Sequence, residues 1–209
     1  MKIKICGIKD STTLVCCQKN NVNYYGLVFY KKSPRNVSIK LASELINYQT
    51  NINLFPVGVF ANHNIIDVHY TIEKLKLKYI QLHGIEDNIY MSKLKDKFNI
   101  RIIKAIGIRS INDFENIKMY SNTDYYLFDY KPNNNELPGG NAKSFDWSLL
   151  KNININKPWF ISGGINLNNI SEILNNLIPY GVDISSGVED HPGIKNSKKI
   201  TEIMYKINA

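Results

Sequence analysis

Short apolar segments alternate with amphipathic segments along all 209 residues of this chain, and this alternation predicts an α/β fold. Polar or glycine residues follow nearly every apolar segment, whereas a doubly wound sheet would concentrate its polar ligands at one switch point. The length suits one barrel at the lower end of that fold's range, and no linker or composition break divides the chain. We therefore predict an α/β protein that folds as a single-domain (βα)8 TIM barrel over residues 1–209.

Eight runs rich in apolar, aromatic and β-branched residues are the predicted strands. In order, they are Ile3–Cys6, Tyr24–Phe29, Phe55–Phe60, Tyr79–Leu82, Arg101–Ala105, Tyr125–Asp129, Trp159–Ser162 and Val182–Ser185. Between them, apolar residues at helical spacing predict helices that pack one face on the sheet. The stripes are Leu41, Leu45 and Ile46; Ile65, Ile66, Val68 and Ile72; Ile89, Met91 and Leu94; and Ile200, Ile203, Met204 and Ile207.

The first strand ends on a thiol and a glycine. Lys4 and Cys6 are two residues apart, so we expect both side chains to point into the barrel, while Ile3 and Ile5 point outward. The carboxyl ends of barrel strands form the rim where barrel enzymes carry out chemistry. Cys6 is therefore a candidate catalytic residue, with Lys4 favouring its thiolate; a small buried core thiol is the alternative.

Three further polar side chains are expected at the same rim. Asp129 ends a buried strand, so it is either an exposed loop residue or a carboxyl group of a rim site. Arg35 follows a proline in the loop after the second strand, where a guanidinium can fork onto a substrate carboxylate. His83 shares a face with Gln81 and is expected to contact substrate, although a hydrogen-bonded structural histidine fits the pattern equally well.

Two glycine-rich turns follow the seventh and eighth strands, Ser162-Gly163-Gly164 and Ser185-Ser186-Gly187. Glycines allow backbone N–H groups to approach an anion, and the loops after strands seven and eight hold phosphate in many barrels. We predict a phosphate site formed by Gly163, Gly164, Ser186 and Gly187. The long polar stretch Lys131–Lys143 after the sixth strand is predicted to be a mobile active-site loop.

Composition limits the function classes. The formal net charge is +8, but the lysines are scattered and no arginine-rich run is present, so we expect neither a nucleic-acid nor a membrane partner. A positive field would attract a small phosphorylated substrate. The cysteines are Cys6, Cys16 and Cys17, and their spacing does not suit a zinc site. We expect a monomer in the reducing cytoplasm, without signal peptide or membrane span.

Taken together, these segments resemble the phosphoribosylanthranilate isomerase family of tryptophan biosynthesis. The resemblance runs in order along the chain, on the motifs Lys4-Ile5-Cys6-Gly7, Gly26-Leu27-Val28-Phe29-Tyr30, Ser33-Pro34-Arg35, Val57-Gly58-Val59-Phe60, Gln81-Leu82-His83-Gly84, Leu127-Phe128-Asp129, Phe145-Asp146-Trp147, Ser162-Gly163-Gly164-Ile165 and Val182-Asp183-Ile184-Ser185-Ser186-Gly187-Val188-Glu189. The chain departs from the family at Asn141 and Ala142, where relatives usually have Thr or Ser followed by Gly. We expect this departure to affect turnover rate more than reaction type.

The resemblance implies a cofactor-free, metal-free aldose–ketose isomerase of aromatic amino-acid biosynthesis. Its reaction is the Amadori rearrangement of N-(5-phospho-β-D-ribosyl)anthranilate to 1-(2-carboxyphenylamino)-1-deoxy-D-ribulose 5-phosphate. By this resemblance Cys6 is the general base, Asp129 the general acid and Arg35 the contact for the anthranilate carboxylate. One alternative is the histidine-pathway sugar isomerase, which uses two aspartates and so fits Cys6 poorly. The other is a non-catalytic basic binding protein built on the same barrel.

Overall fold

The computed structural model describes residues 1–133, 139 and 143–208, and its centre is a closed barrel of eight parallel strands. Each strand pairs with the next, and β8 pairs with β1 to close the sheet. This confirms the predicted α/β barrel, and the strand ends differ from prediction by at most three residues. The strands are β1 (Lys2–Cys6), β2 (Tyr24–Val28), β3 (Phe55–Phe60), β4 (Tyr79–Leu82), β5 (Arg101–Ile108), β6 (Tyr125–Tyr130), β7 (Trp159–Ile161) and β8 (Gly181–Ile184).

Within the described residues, six α-helices and two 3₁₀ segments surround the barrel. The helices are α1 (Ser11–Lys19), α2 (Ile39–Tyr48), α3 (Ile65–Leu75), α4 (Asn88–Lys97), α5 (Ile170–Asn176) and α6 (Ser197–Asn208). The 3₁₀ segments, Ile111–Met119 and Trp147–Asn152, follow β5 and β6. Side-chain N-caps start the first four helices, because an oxygen of Asp10, Ser38, Asn64 or Asp87 accepts a hydrogen bond from a backbone N–H of the first turn.

Two residues of the predicted apolar stripes lie in solvent. Ile66 is 69% exposed and Ile89 is 65% exposed, so assigning them to buried faces was wrong. Each lies two residues before a buried residue of its helix, Val68 or Met91, and residues two apart on a helix do not share a face. The remaining stripe residues at three- and four-residue spacing pack against the barrel.

The core has an inner and an outer layer. Ile3 and Ile5 belong to the large cluster between the strands and the helices, as the alternation along β1 predicts. The barrel interior holds a separate cluster, and the carboxyl end holds a small third cluster of Cys6, Val28 and Val59. The interior cluster consists of Tyr24, Val57, Ile103, Ala105, Leu127 and Phe160.

A hairpin not expected from the sequence follows β8. Its strands are β9 (Glu189–His191) and β10 (Ile194–Lys195), which pair antiparallel. Gly193 in the turn has φ +83°, and a Cβ there would lie 2.4 Å from the carbonyl oxygen of Pro34, so the turn packs tightly on the loop after β2. The hairpin thereby brings Glu189 and Lys195 to the rim of the barrel. Within the described part of the chain, none of the helices has the length and apolarity to cross a bilayer.

Candidate active site

A cavity opens at the carboxyl ends of the strands. It holds about 580 Å³ of space when the open mouth is included. The polar groups at its wall come from six strands or the loops that follow them, and the apolar part is formed mainly by Val28, Val59 and Phe60. Those polar residues include Cys6, Arg35, His83, Asp129 and Asp183. Four residues predicted from separate segments of the sequence thus face one cavity.

Cys6 lies in the floor of this cavity. Its Sγ rests against β2 at Gly26, where a Cβ would come within 2.6 Å of the sulfur, so only glycine leaves room for the thiol. Burial raises the pKa of the Cys6 thiol, Lys4 and Lys195 act to lower it, and Asp183 raises it further. The net direction is upward, so the lysine beside Cys6 does not by itself produce the thiolate expected from the sequence.

Lys4 and Asp183 form a buried ion pair beneath the thiol. The two residues are register partners on β1 and β8, and Lys4 Nζ lies 2.9 Å from Asp183 Oδ2. Burial disfavours the Lys4 ammonium, but Asp183 and Cys6 outweigh it and raise the Lys4 pKa. Asp183 Oδ1 is buried and has no hydrogen-bond partner among the described residues. Because Asp183 lines the cavity, this oxygen is an acceptor suited to a ligand hydroxyl.

Asp129 ends a short row of polar contacts across the cavity wall. Gln81 Nε2 lies 2.9 Å from His83 Nδ1, and His83 Nε2 lies 3.3 Å from Asp129 Oδ2. Because the Gln81 amide donates to Nδ1, hydrogen-bond matching places the His83 proton on Nε2, toward Asp129. The backbone N–H of Tyr130 donates to Asp129 Oδ1 at 2.8 Å. The structure therefore makes His83 a neighbour of the carboxyl group as well as a wall of the cavity.

Arg35 is buried and forks onto a carboxylate of its own chain. Arg35 Nε lies 2.8 Å from Glu189 Oε1, and Nη2 lies 2.7 Å from Glu189 Oε2. Lys195 Nζ also donates to Glu189 Oε1, at 2.6 Å. Burial disfavours the Glu189 carboxylate, but Arg35 and Lys195 outweigh this and lower the pKa of Glu189. The predicted anion-binding arginine is thus held by an ionised partner at the cavity wall.

The two glycine-rich turns meet in a smaller cavity beside the first. Gly163 and Gly164 have φ values of +89° and +66°, which most side chains avoid, and both line this cavity together with Ser186. Gly187 instead packs under the turn after β7, since a Cβ there would lie 1.9 Å from the carbonyl oxygen of Ile165. The two cavities share Asp129, Gly139, Ser162, Asp183 and Ser185, so they form one continuous site.

The glycine-rich loop after β6 contributes Gly139 and Lys143 to this region. Gly139 lies near the acid, because a Cβ there would come within 2.8 Å of His83 Cε1 and 3.5 Å of Asp129 Oδ2. The departures at Asn141 and Ala142, and most of the predicted mobile loop, lie outside the described residues. Among the described residues, no group of three or more His, Cys, Asp or Glu side chains is arranged to hold a metal ion.

Residues 3–206 match the model of a family described as N-(5'phosphoribosyl)anthranilate (PRA) isomerase. The chain belongs to this family. An N-(5'-phosphoribosyl)anthranilate isomerase of Paracoccus denitrificans is 34% identical over 211 residues, covering 100% of this chain and 98% of that protein. The resemblance drawn from the motifs is confirmed.

Solved structures of phosphoribosyl anthranilate isomerases have the same fold. The Thermotoga maritima protein is 31% identical and superposes with a TM-score of 0.88, covering 100% of this chain and 98% of that one. A second structure, in complex with reduced 1-(o-carboxyphenylamino)-1-deoxyribulose 5-phosphate, is 28% identical with a TM-score of 0.84 and the same coverage. The family and fold of this chain are therefore shown by sequence and by structure.

Four residues of this site were not assigned a role from the sequence: Gln81, Asp183, Glu189 and Lys195. A signal existed for Asp183, which is a charged residue inside the apolar strand Gly181–Ile184. No comparable signal marks Glu189 or Lys195, because their partners are brought to them by a hairpin whose position depends on tertiary packing.

Proposed function

We propose that this chain catalyses the Amadori rearrangement of N-(5-phospho-β-D-ribosyl)anthranilate to 1-(2-carboxyphenylamino)-1-deoxy-D-ribulose 5-phosphate, an isomerase step of tryptophan biosynthesis. The observation that carries the proposal is the shared cavity of Cys6 and Asp129, which continues into the pocket between two glycine-rich turns. A thiol and a carboxyl group are the acid–base pair that this reaction needs. The glycine-rich end suits a phosphate.

Asp129 is the general acid of the first step. Ring opening transfers a proton from the carboxyl group to the furanose oxygen, and the C1–O bond breaks to leave an iminium between C1 and the anthranilate nitrogen. The Tyr130 N–H bonds Oδ1, and His83 Nε2 lies beside Oδ2, so both neighbours orient the carboxyl group and stabilise the carboxylate left behind. Electrons and protons balance without a cofactor.

Cys6 is the general base of the second step. The iminium acidifies the hydrogen on sugar C2, the sulfur takes that proton, and the electron pair forms the enolamine that then tautomerises to the ketone. Burial raises the pKa of Cys6 in the free protein, so the thiolate needs a positive charge from the bound substrate to stabilise it. In a site with little water, the positive iminium and the Lys4 ammonium both stabilise a thiolate.

Binding groups surround these two. Gly163, Gly164 and Ser186 form the 5-phosphate pocket, with Gly187 supporting the turn, and Arg35 faces the anthranilate carboxylate. Asp183 Oδ1 accepts a hydrogen bond from a sugar hydroxyl, which satisfies its unpaired lone pairs. A small phosphorylated substrate is thus held at both ends, with its reactive carbons between Cys6 and Asp129.

We also propose that the protein acts as a single-domain monomer in the cytoplasm, without nucleic acid or membrane partners. Light scattering on the purified protein tests the oligomeric state. The histidine-pathway isomerase is the less favoured activity because Cys6 stands where that family has an aspartate.

The test is turnover by the purified chain. Phosphoribosylanthranilate is fluorescent, so its consumption is followed directly in buffer containing EDTA. We expect consumption that follows enzyme concentration and does not respond to added metal or nicotinamide. No consumption, or a preference for the histidine-pathway substrate, would contradict the proposed function.

A further inference from the structure

The part of the site around Arg35 contains a buried cluster of three charged residues: Arg35, Glu189 and Lys195. Each is at least nine-tenths buried, with exposed fractions of 4%, 8% and 9% respectively. Glu189 lies between two cations, because it accepts both fork bonds of Arg35 and the 2.6 Å bond of Lys195. Burying three charges is costly, so the arrangement calls for an explanation beyond stability.

Burial lowers the pKa of Lys195 and Glu189 offsets this only in part, but the hydrogen bonds around the side chain are those of an ammonium. Its Nζ lies within 3.2 Å of three acceptors, namely Glu189 Oε1, Ser185 O and Ser185 Oγ. Three acceptors match the three N–H groups of an ammonium, whereas a neutral amine has only two. Ser185 Oγ in turn donates to the carbonyl oxygen of Cys6 at 3.0 Å, which ties the cluster to the strand that carries the catalytic thiol.

The cluster therefore carries one net positive charge: two cations and one carboxylate. An arginine paired only with Glu189 would be neutral overall and would present little charge to a second carboxylate. An arginine without Glu189 would keep its charge but lose the fork that fixes its plane. The aliphatic part of Arg35 packs on Gly7, where a Cβ would lie 2.7 Å from Arg35 Cδ, so the side chain is also fixed from below.

We propose that Glu189 and Lys195 are positioning residues for Arg35: Glu189 fixes the guanidinium plane at the cavity wall, and Lys195 restores the positive charge that Glu189 cancels. This inference rests on the proposed function, in which Arg35 binds the anthranilate carboxylate. The two roles are separable. Fixing the plane determines the direction of the hydrogen bonds, and the net charge determines their strength.

The β9–β10 hairpin is what makes the arrangement possible. It supplies both Glu189 and Lys195, and Lys199 Nζ donates to the Glu189 carbonyl oxygen at 2.7 Å, which fixes the start of β9. Gly193 packs its turn on the loop that carries Arg35. The hairpin thus joins the loop after β2 to the end of β8, and the position of Arg35 in the site depends on that contact.

The test compares kcat and KM for Glu189→Gln, Lys195→Met and the double variant on two substrates. One is phosphoribosylanthranilate, and the other is the analogue in which aniline replaces anthranilate, so that only the carboxylate is missing. Lys198→Met is the matched control, because Lys198 is three residues from Lys195 but its side chain is 84% exposed and pairs only with Glu202 among the contacts described. Thermal unfolding of every variant is measured alongside.

We expect Glu189→Gln and Lys195→Met each to raise KM for phosphoribosylanthranilate about tenfold or more. Lys195→Met also removes a cation that lowers the pKa of Cys6, so any fall in its kcat should be the same on both substrates. On the aniline analogue, KM should stay within about twofold of the unsubstituted protein, as it should for Lys198→Met on both substrates. The double variant recovers the net charge without the fork. Its KM for phosphoribosylanthranilate should therefore remain raised, which separates the fixed plane from the charge.

Every other result would overturn the inference or one of the two roles it assigns to Glu189 and Lys195. Equal KM changes on both substrates would show that Glu189 and Lys195 only support the fold, and this would overturn the inference. A double variant with native KM would overturn the role of Glu189 in fixing Arg35. If Glu189→Gln does not fold, Lys195→Met alone still decides the charge role, because it leaves the Arg35–Glu189 pair intact. Absence of turnover by the unsubstituted protein would overturn the proposed function and this inference with it, whereas native turnover with unchanged KM ratios would overturn this inference alone.

Discussion

The two ends of the barrel are filled by different kinds of side chain. At the amino ends of the strands, Tyr24, Tyr79 and Tyr125 begin the alternate strands β2, β4 and β6 and point into one layer, as barrel interiors are usually packed. The Tyr24 ring lies 5.2 Å from that of Tyr79 and 5.8 Å from that of Phe160. At the carboxyl ends, buried charges replace the aromatic rings, in the Lys4–Asp183 and Arg35–Glu189–Lys195 groups.

The difference indicates where the fold is stabilised and where it works. Aromatic packing contributes directly to the free energy of unfolding. Buried ion pairs contribute little net stability, because desolvation offsets their attraction. The carboxyl end is therefore organised for binding and proton transfer, and the amino end for stability. Substitutions at the two ends should separate turnover from unfolding.

The largest effect is expected at the thiol. Cys6→Ser should lower kcat by about 10²–10⁴-fold, because a neutral hydroxyl is a far weaker base than a thiolate. Its free energy of unfolding should change by about 1 kcal/mol or less. Cys17→Ser is the matched control, since Cys17 is fully buried in α1 and outside the cavity. It should lose stability and keep kcat. Steady-state kinetics with thermal unfolding checks both variants, and native kcat in a folded Cys6→Ser protein would remove Cys6 from the mechanism.

The opposite result is expected at the amino end. Phe160 is 1% exposed and packs on Tyr24, Tyr125 and Tyr180, so Phe160→Ala should cost about 3–5 kcal/mol of unfolding free energy. Urea unfolding measures it. The folded fraction should retain kcat within about threefold at low temperature. A hundredfold loss of kcat in that fraction would break the proposed separation between the two ends.

Arginines at the two ends provide a sharper comparison. Arg35→Met should lower kcat/KM for phosphoribosylanthranilate by about 10- to 100-fold, as expected for a lost charge-assisted hydrogen bond. Trace activity on the histidine-pathway substrate, which carries a neutral carboxamide, should change much less. Arg101→Met is the control, because this arginine pairs with Asp124 at the amino end and its side chain is 64% exposed. Equal losses on both substrates would mean that Arg35 does not recognise the carboxylate.

The smallest effect concerns the phosphate pocket. Inorganic phosphate should compete with substrate and, at ten times its Kd, stabilise the protein by about 1.4 kcal/mol. Gly164→Val should abolish this protection and raise KM, since the residue at φ +66° would carry a side chain within reach of the Lys143 backbone. Thermal shift with phosphate against chloride at equal ionic strength tests it. Full protection of the valine variant would place the phosphate elsewhere.

The sequence predicts the barrel and the location of its rim because both depend on local periodicity. Alternation along β1 puts Cys6 inside and Ile5 outside, and the end of a strand puts Asp129 at the rim. What local pattern could not predict are contacts between distant segments. Arg35 and Glu189 are 154 residues apart, and Lys4 and Asp183 are 179 apart, so their pairing depends on barrel closure and register.

The same limit explains why the structure differs from the sequence-based expectations for Cys6 and His83. Lys4 is adjacent to Cys6 as predicted, but the depth of burial, which no short motif encodes, sets the direction of the thiol pKa. Likewise Asp129, the carboxyl group beside His83, comes from another strand, β6. Local sequence predicts which side chains face the cavity, and tertiary packing determines what each one meets there.

The most direct test is the turnover of Asp129→Asn beside that of Asp124→Asn. Asp124 lies at the amino end, pairs with Lys95 and Arg101, and has its pKa lowered by their hydrogen bonds and that of the Ile102 N–H despite partial burial. We expect Asp129→Asn to lower kcat by about 10²–10⁴-fold and to leave the free energy of unfolding nearly unchanged. We expect Asp124→Asn to lower the free energy of unfolding and to leave kcat nearly unchanged. Near-native turnover by folded Asp129→Asn would contradict the assignment of the general acid and the division between the two ends of the barrel.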